Sequence, residues 1–216
     1  MCKGVIFDMD GVLIDSHPTH KKVWAQFLAS VNKRVSEEDL DFVLDGRKRE
    51  EILRYFLGNL SAEQVEEYGR RKDKLFSESA SDLQTIPGVV EFLDVLDRAG
   101  IRMAVATCAS LVRTRDILDV LGLLPRFEAI VTANDVVKGK PDPAIFIQAA
   151  DCLKLSPGDL LVVEDAVSGV TAAKTAGMKC LGIAAEGRSG RLKEAGADCV
   201  IRDYRKISLA EVQQLF

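Results

Sequence analysis

The sequence predicts an α/β protein: a doubly wound parallel sheet with an all-helical segment inserted after its first strand. Three observations predict it. From residue 82 onward, short apolar runs alternate with segments of helical period, the pattern of βαβ units with right-handed crossovers. The first run, Val5-Ile6-Phe7, is apolar on both faces, as buried strands of parallel sheets are. Between residues 15 and 81 the helical period prevails and no strand-like run occurs. These divide the chain into a core domain of residues 1–14 and 82–216 and a helical cap domain of residues 15–81.

Each element follows from local chemistry. Val23, Trp24, Phe27, Leu28 and Val31 share one helical face, with Ser16 and Pro18 as start signals. Ile52, Leu53, Phe56, Leu57 and Leu60 repeat the spacing, and Ser61-Ala62-Glu63-Gln64 reads as a capping box opening another helix. A small polar joint, residues 79–82, ends the insertion. Pro87-Gly88 starts a helix that Gly100 ends. Strands are expected at 101–106, 127–131, 160–163, 179–183 and 199–201, with helices from about 111 to Gly122, from Asp142-Pro143 through Leu153, and following Glu164-Asp165 up to Gly177.

Composition bounds the function. The chain has 216 residues, 47% hydrophobic and 29% charged, with a net charge of −4. No basic face points to nucleic acid, and no apolar run approaches the roughly 20 residues of a membrane span. The first strand begins almost at Met1, which leaves no room for a signal peptide. Five scattered cysteines form no CxxC pair, against both a disulfide framework and a zinc site. The expectation is a reduced, cytoplasmic monomer.

Strand ends in an open α/β sheet face the ligand. The residues expected there are Asp8, Asp10, Thr107, Lys140, Glu164 and Asp165. Taken singly, each has a plain reading: a turn aspartate, a helix cap, a solvated loop lysine, acids favouring a helix N-terminus. Taken together, four carboxylates at one edge repel unless a cation lies among them. Mg²⁺ suits such oxygen donors and is normally held by one or two carboxylates plus substrate phosphate. A hydroxyl and an ammonium are what a phosphate needs. One carboxylate can then attack phosphorus while a second handles protons. Lys140 precedes Pro141, which favours an extended backbone there.

With these motifs in order, the chain resembles the haloacid dehalogenase superfamily of phosphotransferases. Asp8-Met9-Asp10-Gly11, Thr107 in Val105-Ala106-Thr107-Cys108, Lys140 in Gly139-Lys140-Pro141-Asp142-Pro143, and Glu164-Asp165 in Val162-Val163-Glu164-Asp165-Ala166 match its four motifs. The resemblance implies a Rossmann-like core, Asp8 as nucleophile and Asp10 as acid/base. It implies phosphate binding by Thr107, Lys140 and the backbone at Cys108 and Ala109. Mg²⁺ would be held by Asp8, the Asp10 carbonyl and Asp165, with Glu164 in or next to the shell. The helical insertion resembles the family's mobile cap. Asp10 disfavours a true dehalogenase, which lacks that acid.

Within the superfamily, the chain is similar to β-phosphoglucomutases and the sugar-phosphate phosphatases grouped with them. His20 matches a cap histidine, Gly46 to Glu50 the specificity loop with Arg49 as the contact to a distal phosphate, and Lys72 a second cap contact. Their plain reading is as packed or solvated cap residues. Ser16 and Cys108-Ala109 depart from the mutase pattern. The resulting expectation is a Mg²⁺-dependent phosphatase of a small phosphorylated metabolite, a sugar phosphate by resemblance. A β-phosphoglucomutase is the alternative, and a phospho-accepting regulatory domain is the remote one, opposed by Asp10 and the cap.

Overall fold

The computed structural model describes residues 1–79, 83–184 and 187–216. Six strands, β1 (Gly4–Phe7), β2 (Arg102–Ala106), β3 (Ala129–Val131), β4 (Leu160–Glu164), β5 (Lys179–Ile183) and β6 (Cys199–Ile201), form one parallel sheet in the order β3-β2-β1-β4-β5-β6. The order reverses between β1 and β4, the crevice where open α/β sheets take their ligands. Phe7 is level with Val105 on one side and Val163 on the other. The next residues, Asp8, Ala106 and Glu164, therefore arrive together at the sheet edge.

The helices are α1 (His17–Ser30), α2 (Arg49–Leu57), α3 (Ala62–Glu78), α4 (Val89–Arg98), α5 (Leu111–Val120), α6 (Ala144–Leu153), α7 (Val167–Thr175), α8 (Ser189–Glu194) and α9 (Leu209–Gln213). Side chains alternate across the pleat. Val5, Phe7, Met103, Val105, Leu161 and Val163 join the apolar layer under α4, whose Phe92 meets Phe7 edge to face at 6.4 Å. Ile6, Ala104, Ala106, Leu160 and Val162 join the layer under α6 and α7. Because both faces are covered, the strands need no polar positions, which is why they read as continuous apolar runs.

α1, α2 and α3 occupy the insertion and bury a cluster of their own: Trp24, Phe27 and Leu28 against Leu40, Val43, Leu44, Ile52, Leu53 and Phe56. The Ser61 capping box forms, with Ser61 Oγ accepting from the Gln64 N–H and the Gln64 side chain accepting from the Ser61 N–H. Ser16 precedes α1 but makes no side-chain cap, because its hydroxyl is used elsewhere. The expected joint at 79–82, and with it the 81/82 domain boundary, falls on residues 80–82, outside those described.

The third strand is shorter than the 127–131 expected, starting at Ala129. The apolar period at Phe127 reflects packing against Phe7 (6.0 Å between ring centroids) rather than pairing. The Lys140–Pro141 peptide is cis. α8 and α9 were not expected. α9 has a capping box at Ser208 and Glu211, a legible Ser-x-x-Glu signal in a segment whose five helical residues are too few for a period to register.

Candidate active site

Asp8 follows directly from β1 and is buried. Lys140 is fully buried, and its Nζ donates to Asp8 Oδ1 at 2.5 Å, to Glu164 Oε1 at 2.5 Å and to the Ala106 carbonyl at 3.3 Å. One ammonium thus spends all three protons on the ends of β1, β2 and β4. Its charge is secured by the two acids: burial works against it, but Asp8 and Glu164 push its pKa upward. Burial raises the Asp8 carboxyl most strongly; Lys140 opposes this, and Glu164, Asp165 and Asp10 add to it. The floor of the site therefore carries more negative charge than Lys140 offsets.

Glu164, placed by the sequence in or next to an ion shell, has both oxygens engaged within the protein. Oε1 takes Lys140, and Oε2 accepts from the N–H groups of Asp165 at 2.9 Å and Ala166 at 3.1 Å. α7 packs onto it through Gly169, where a Cβ would lie 2.0 Å from the carboxyl carbon. No side chain larger than hydrogen fits there. Its neighbour Asp165 is buried too, and His17 Nε2 lies 2.8 Å from its Oδ2; burial works against a charged His17, but Asp165 outweighs it and raises the His17 pKa.

Asp10 sits in different company. Ser16 Oγ donates to its Oδ1 at 2.6 Å, Arg113 Nη2 donates to the same oxygen at 2.5 Å, and His20 Nε2 lies 3.1 Å away. Burial disfavours the charged carboxylate, but Arg113 and His20 outweigh it and hold the group well below the usual carboxylate range. Burial keeps His20 itself neutral, its pKa lowered to about 3, with its ring against Phe76 at 4.6 Å. Gly11, at φ +75°, turns the chain between the acids and α1.

Thr107 is buried just beyond β2, its Oγ1 accepting from the Ala109 N–H at 3.2 Å and shaping the turn. Cys108 and Ala109 line the cleft beside it. Burial raises the Cys108 thiol, so it stays protonated and is no nucleophile. These groups, with Asp8, Asp10 and Asp165, border a cleft of about 300 Å³, the scale of a small-molecule site.

The insertion supplies the opposite wall: His20, Trp24, Gly46, Arg49 and Lys72. Arg49 pairs with Asp73. Lys72 is buried on α3, with Nζ 4.9 Å from the Phe76 ring centre and 5.5 Å from Trp24. Asp73 Oδ1 lies 3.8 Å from it, beyond hydrogen-bond range. Burial, then Arg113, lowers the Lys72 pKa to about 7. Further contacts cross the cleft: Lys48 Nζ donates to the carbonyls of Val136 and Val137, and Ser168 Oγ to that of Asp45.

The structure thus brings every sequence-predicted site residue to one cleft or its floor. Sequence reasoning missed Arg113, the partner of Asp10. It stands two positions from Arg115 on α5, 103 positions from Asp10, and no local signal separates the two arginines. Among the described residues, no three side chains of His, Cys, Asp or Glu converge into a metal cage. No described helix is long and apolar enough to cross a membrane.

The family model for haloacid dehalogenase-like hydrolases matches residues 5–183. Hexitol phosphatase A of Escherichia coli is 31% identical over 97% of this chain and 95% of its own length. The β-phosphoglucomutase of Bacillus subtilis is 32% identical over 96% of this chain and 92% of its own. A solved β-phosphoglucomutase from Clostridium difficile shares the fold, with a TM-score of 0.89 at 23% identity over 100% of this chain and 97% of that one.

Proposed function

Because the chain belongs to the haloacid dehalogenase-like hydrolases and is an enzyme of that family of phosphatases and phosphomutases, we propose that it hydrolyses a small sugar or polyol monophosphate through an aspartyl-phosphate on Asp8. The observation that carries this reading is the separation of the two acids. Asp8 answers to Lys140, whereas Asp10 answers to Ser16, His20 and Arg113.

The residues divide the work as follows. Asp8 Oδ1 is occupied by Lys140, so Oδ2 is the oxygen that attacks phosphorus. Lys140 neutralises charge as the phosphoryl group arrives, and Glu164 keeps that ammonium protonated and aimed. The Thr107 hydroxyl and the backbone N–H groups of the 107–109 turn take the non-bridging oxygens. Asp10, ionised beside Arg113, is set to accept a proton from the water that cleaves the aspartyl-phosphate. To protonate the leaving oxygen it must first exchange Arg113 for a proton.

The donor set fits a divalent cation. Asp8 is buried, and Glu164, Asp165 and Asp10 all add to what burial does to its carboxyl while Lys140 alone opposes them, so the floor holds an excess of carboxylates over Lys140. Asp8, the Asp10 carbonyl and Asp165 would hold Mg²⁺, while Glu164, committed to Lys140, stands outside that set. When bound, the ion supplies charge neutralisation for nucleophile and phosphate.

Residues 15–81 act as the cap that excludes water, and Arg49 and Lys72 contact the substrate end remote from the transferred phosphate. Five free cysteines support a reducing, cytoplasmic setting, and the chain is taken to act as a monomer. The likeness to β-phosphoglucomutases favours a second reading, with a sugar hydroxyl in place of water. A screen of phosphorylated hexitols and sugars, scored for both phosphate release and isomerisation, tests the proposal. Glucose 6-phosphate formed from β-glucose 1-phosphate faster than phosphate is released would overturn hydrolysis as the main activity. No reaction with any phosphate ester would overturn both.

A further inference from the structure

Two residues of the insertion each break a local rule, and they meet at one contact. Gly69 stands in the interior of α3, where only proline is a poorer helix former than glycine. Arg49 is the first residue of α2, where the positive end of the helix dipole disfavours a cation. Neither choice is explained by its own helix, and such local conflicts mark functional positions.

The contact between them explains both. Gly69 is buried, and a Cβ there would lie under 3.0 Å from Cζ, Nε and Nη2 of Arg49, its three nearest neighbours. The guanidinium therefore rests on bare helix backbone. One turn further along the same face of α3, Asp73 Oδ2 accepts from Arg49 Nη1. Gly69 supplies the room and Asp73 the charge, so the two form a seat for Arg49. Lys72 competes for the same acid, but its Nζ lies 3.8 Å from Asp73 Oδ1, beyond hydrogen-bond range. Arg49, Lys72 and Asp73 all line the cleft.

We propose that Gly69 is a positioning residue for specificity: by seating Arg49 on Asp73 it sets the reach of Arg49 and leaves the Lys72 ammonium for substrate. The inference rests on the contact of Arg49 and Lys72 with the remote substrate end proposed above. A methyl group at position 69 meets only the far end of a flexible side chain. It unseats Arg49 while the helix gains a better helix former. Recognition is then lost without a loss of stability, the reverse of what a residue needed only for packing would give.

The test uses Gly69→Ala and Asp73→Asn in the whole chain. Thermal unfolding and the Arg49 Nε–H cross-peak of the substrate-free, ¹⁵N-labelled protein, assigned with Arg49→Lys, read the seat without turnover. Steady-state kinetics compare sorbitol 6-phosphate with p-nitrophenyl phosphate, whose remote end is an uncharged aryl group. Gly69→Ala should keep or raise the Tm, by up to roughly 4 °C, and move the Arg49 cross-peak. It should raise KM for sorbitol 6-phosphate roughly tenfold with kcat kept, and leave p-nitrophenyl phosphate within about twofold. Asp73→Asn should reproduce the KM change without the gain in Tm. A fall in Tm in Gly69→Ala, or an unmoved cross-peak, would overturn the seat. KM changes that are equal for the two esters, or absent, would overturn its role in specificity. Wild type inactive on both esters would overturn the function proposed above and that role with it, while a moved cross-peak would leave the seat standing.

Discussion

The floor of the cleft and its roof are both crowded with buried charge, but they handle it in opposite ways. At the floor the buried ammonium has close partners: Lys140 lies 2.5 Å from Asp8 and from Glu164, and Glu164 takes two further backbone donors. At the roof, Lys72 is buried against Trp24 and Phe76 with its carboxylate partner 3.8 Å off. A buried charge without a good partner is costly, and Lys72 shows the cost as a pKa lowered to about 7. The ammonium of the floor is paired within the protein, whereas under the function proposed above that of the roof is paired by substrate. Chemistry common to many substrates belongs to the first, and discrimination among them to the second.

Breaking the floor should have the largest effect. Asp8→Asn is expected to lower phosphate release by about 10⁴-fold or more, as loss of a covalent nucleophile does. Steady-state release from a sugar phosphate measures it, and full activity in the variant would remove Asp8 from the mechanism. Asp10→Asn should cost about 10²–10⁴-fold. Its loss should shrink with an aryl phosphate, whose leaving group needs no proton. An equal loss on both substrates would contradict its role as acid.

Lys140→Met tests whether the floor is a structural unit as well as a catalytic one. It leaves Asp8 and Glu164 buried side by side, so urea denaturation should register a loss of roughly 3–5 kcal/mol. The smallest effect is expected at the roof. Lys72→Met should raise KM several-fold with little change in kcat. In wild type, KM should climb as pH rises above about 7: Lys72 is charged below its pKa of about 7 and loses the proton above it. In the variant that climb should vanish. A wild-type KM flat from pH 6 to 8.5 would mean that Lys72 does not meet an anion.

The same contrast explains what could be read in the sequence. Floor residues follow apolar runs, so their position at strand ends is encoded locally: Asp8 after Val5-Ile6-Phe7, Glu164 at the close of Leu160-Leu161-Val162-Val163. Roof residues have no such marker. Lys72 and Lys74 differ only in helical phase, yet the first is buried with Gly69 and Phe76 and the second is exposed. Arg113 becomes the partner of Asp10 only through the crossing of α5 over the sheet edge. Ser16 carried a correct signal with a second use, since its hydroxyl leaves α1 uncapped to serve Asp10.

The contact of Lys48 with the carbonyls of Val136 and Val137 has a consequence for how such a protein diverges. The receiving atoms belong to the main chain and are present whatever residues occupy positions 136 and 137. That loop is free to change its side chains over evolutionary time without losing the catch that joins it to the insertion. The catch depends on a single lysine, adjacent to Arg49 in the segment lining the cleft. With Arg49 meeting substrate as proposed, drift in what the enzyme accepts and drift in how the insertion is held are written into neighbouring codons.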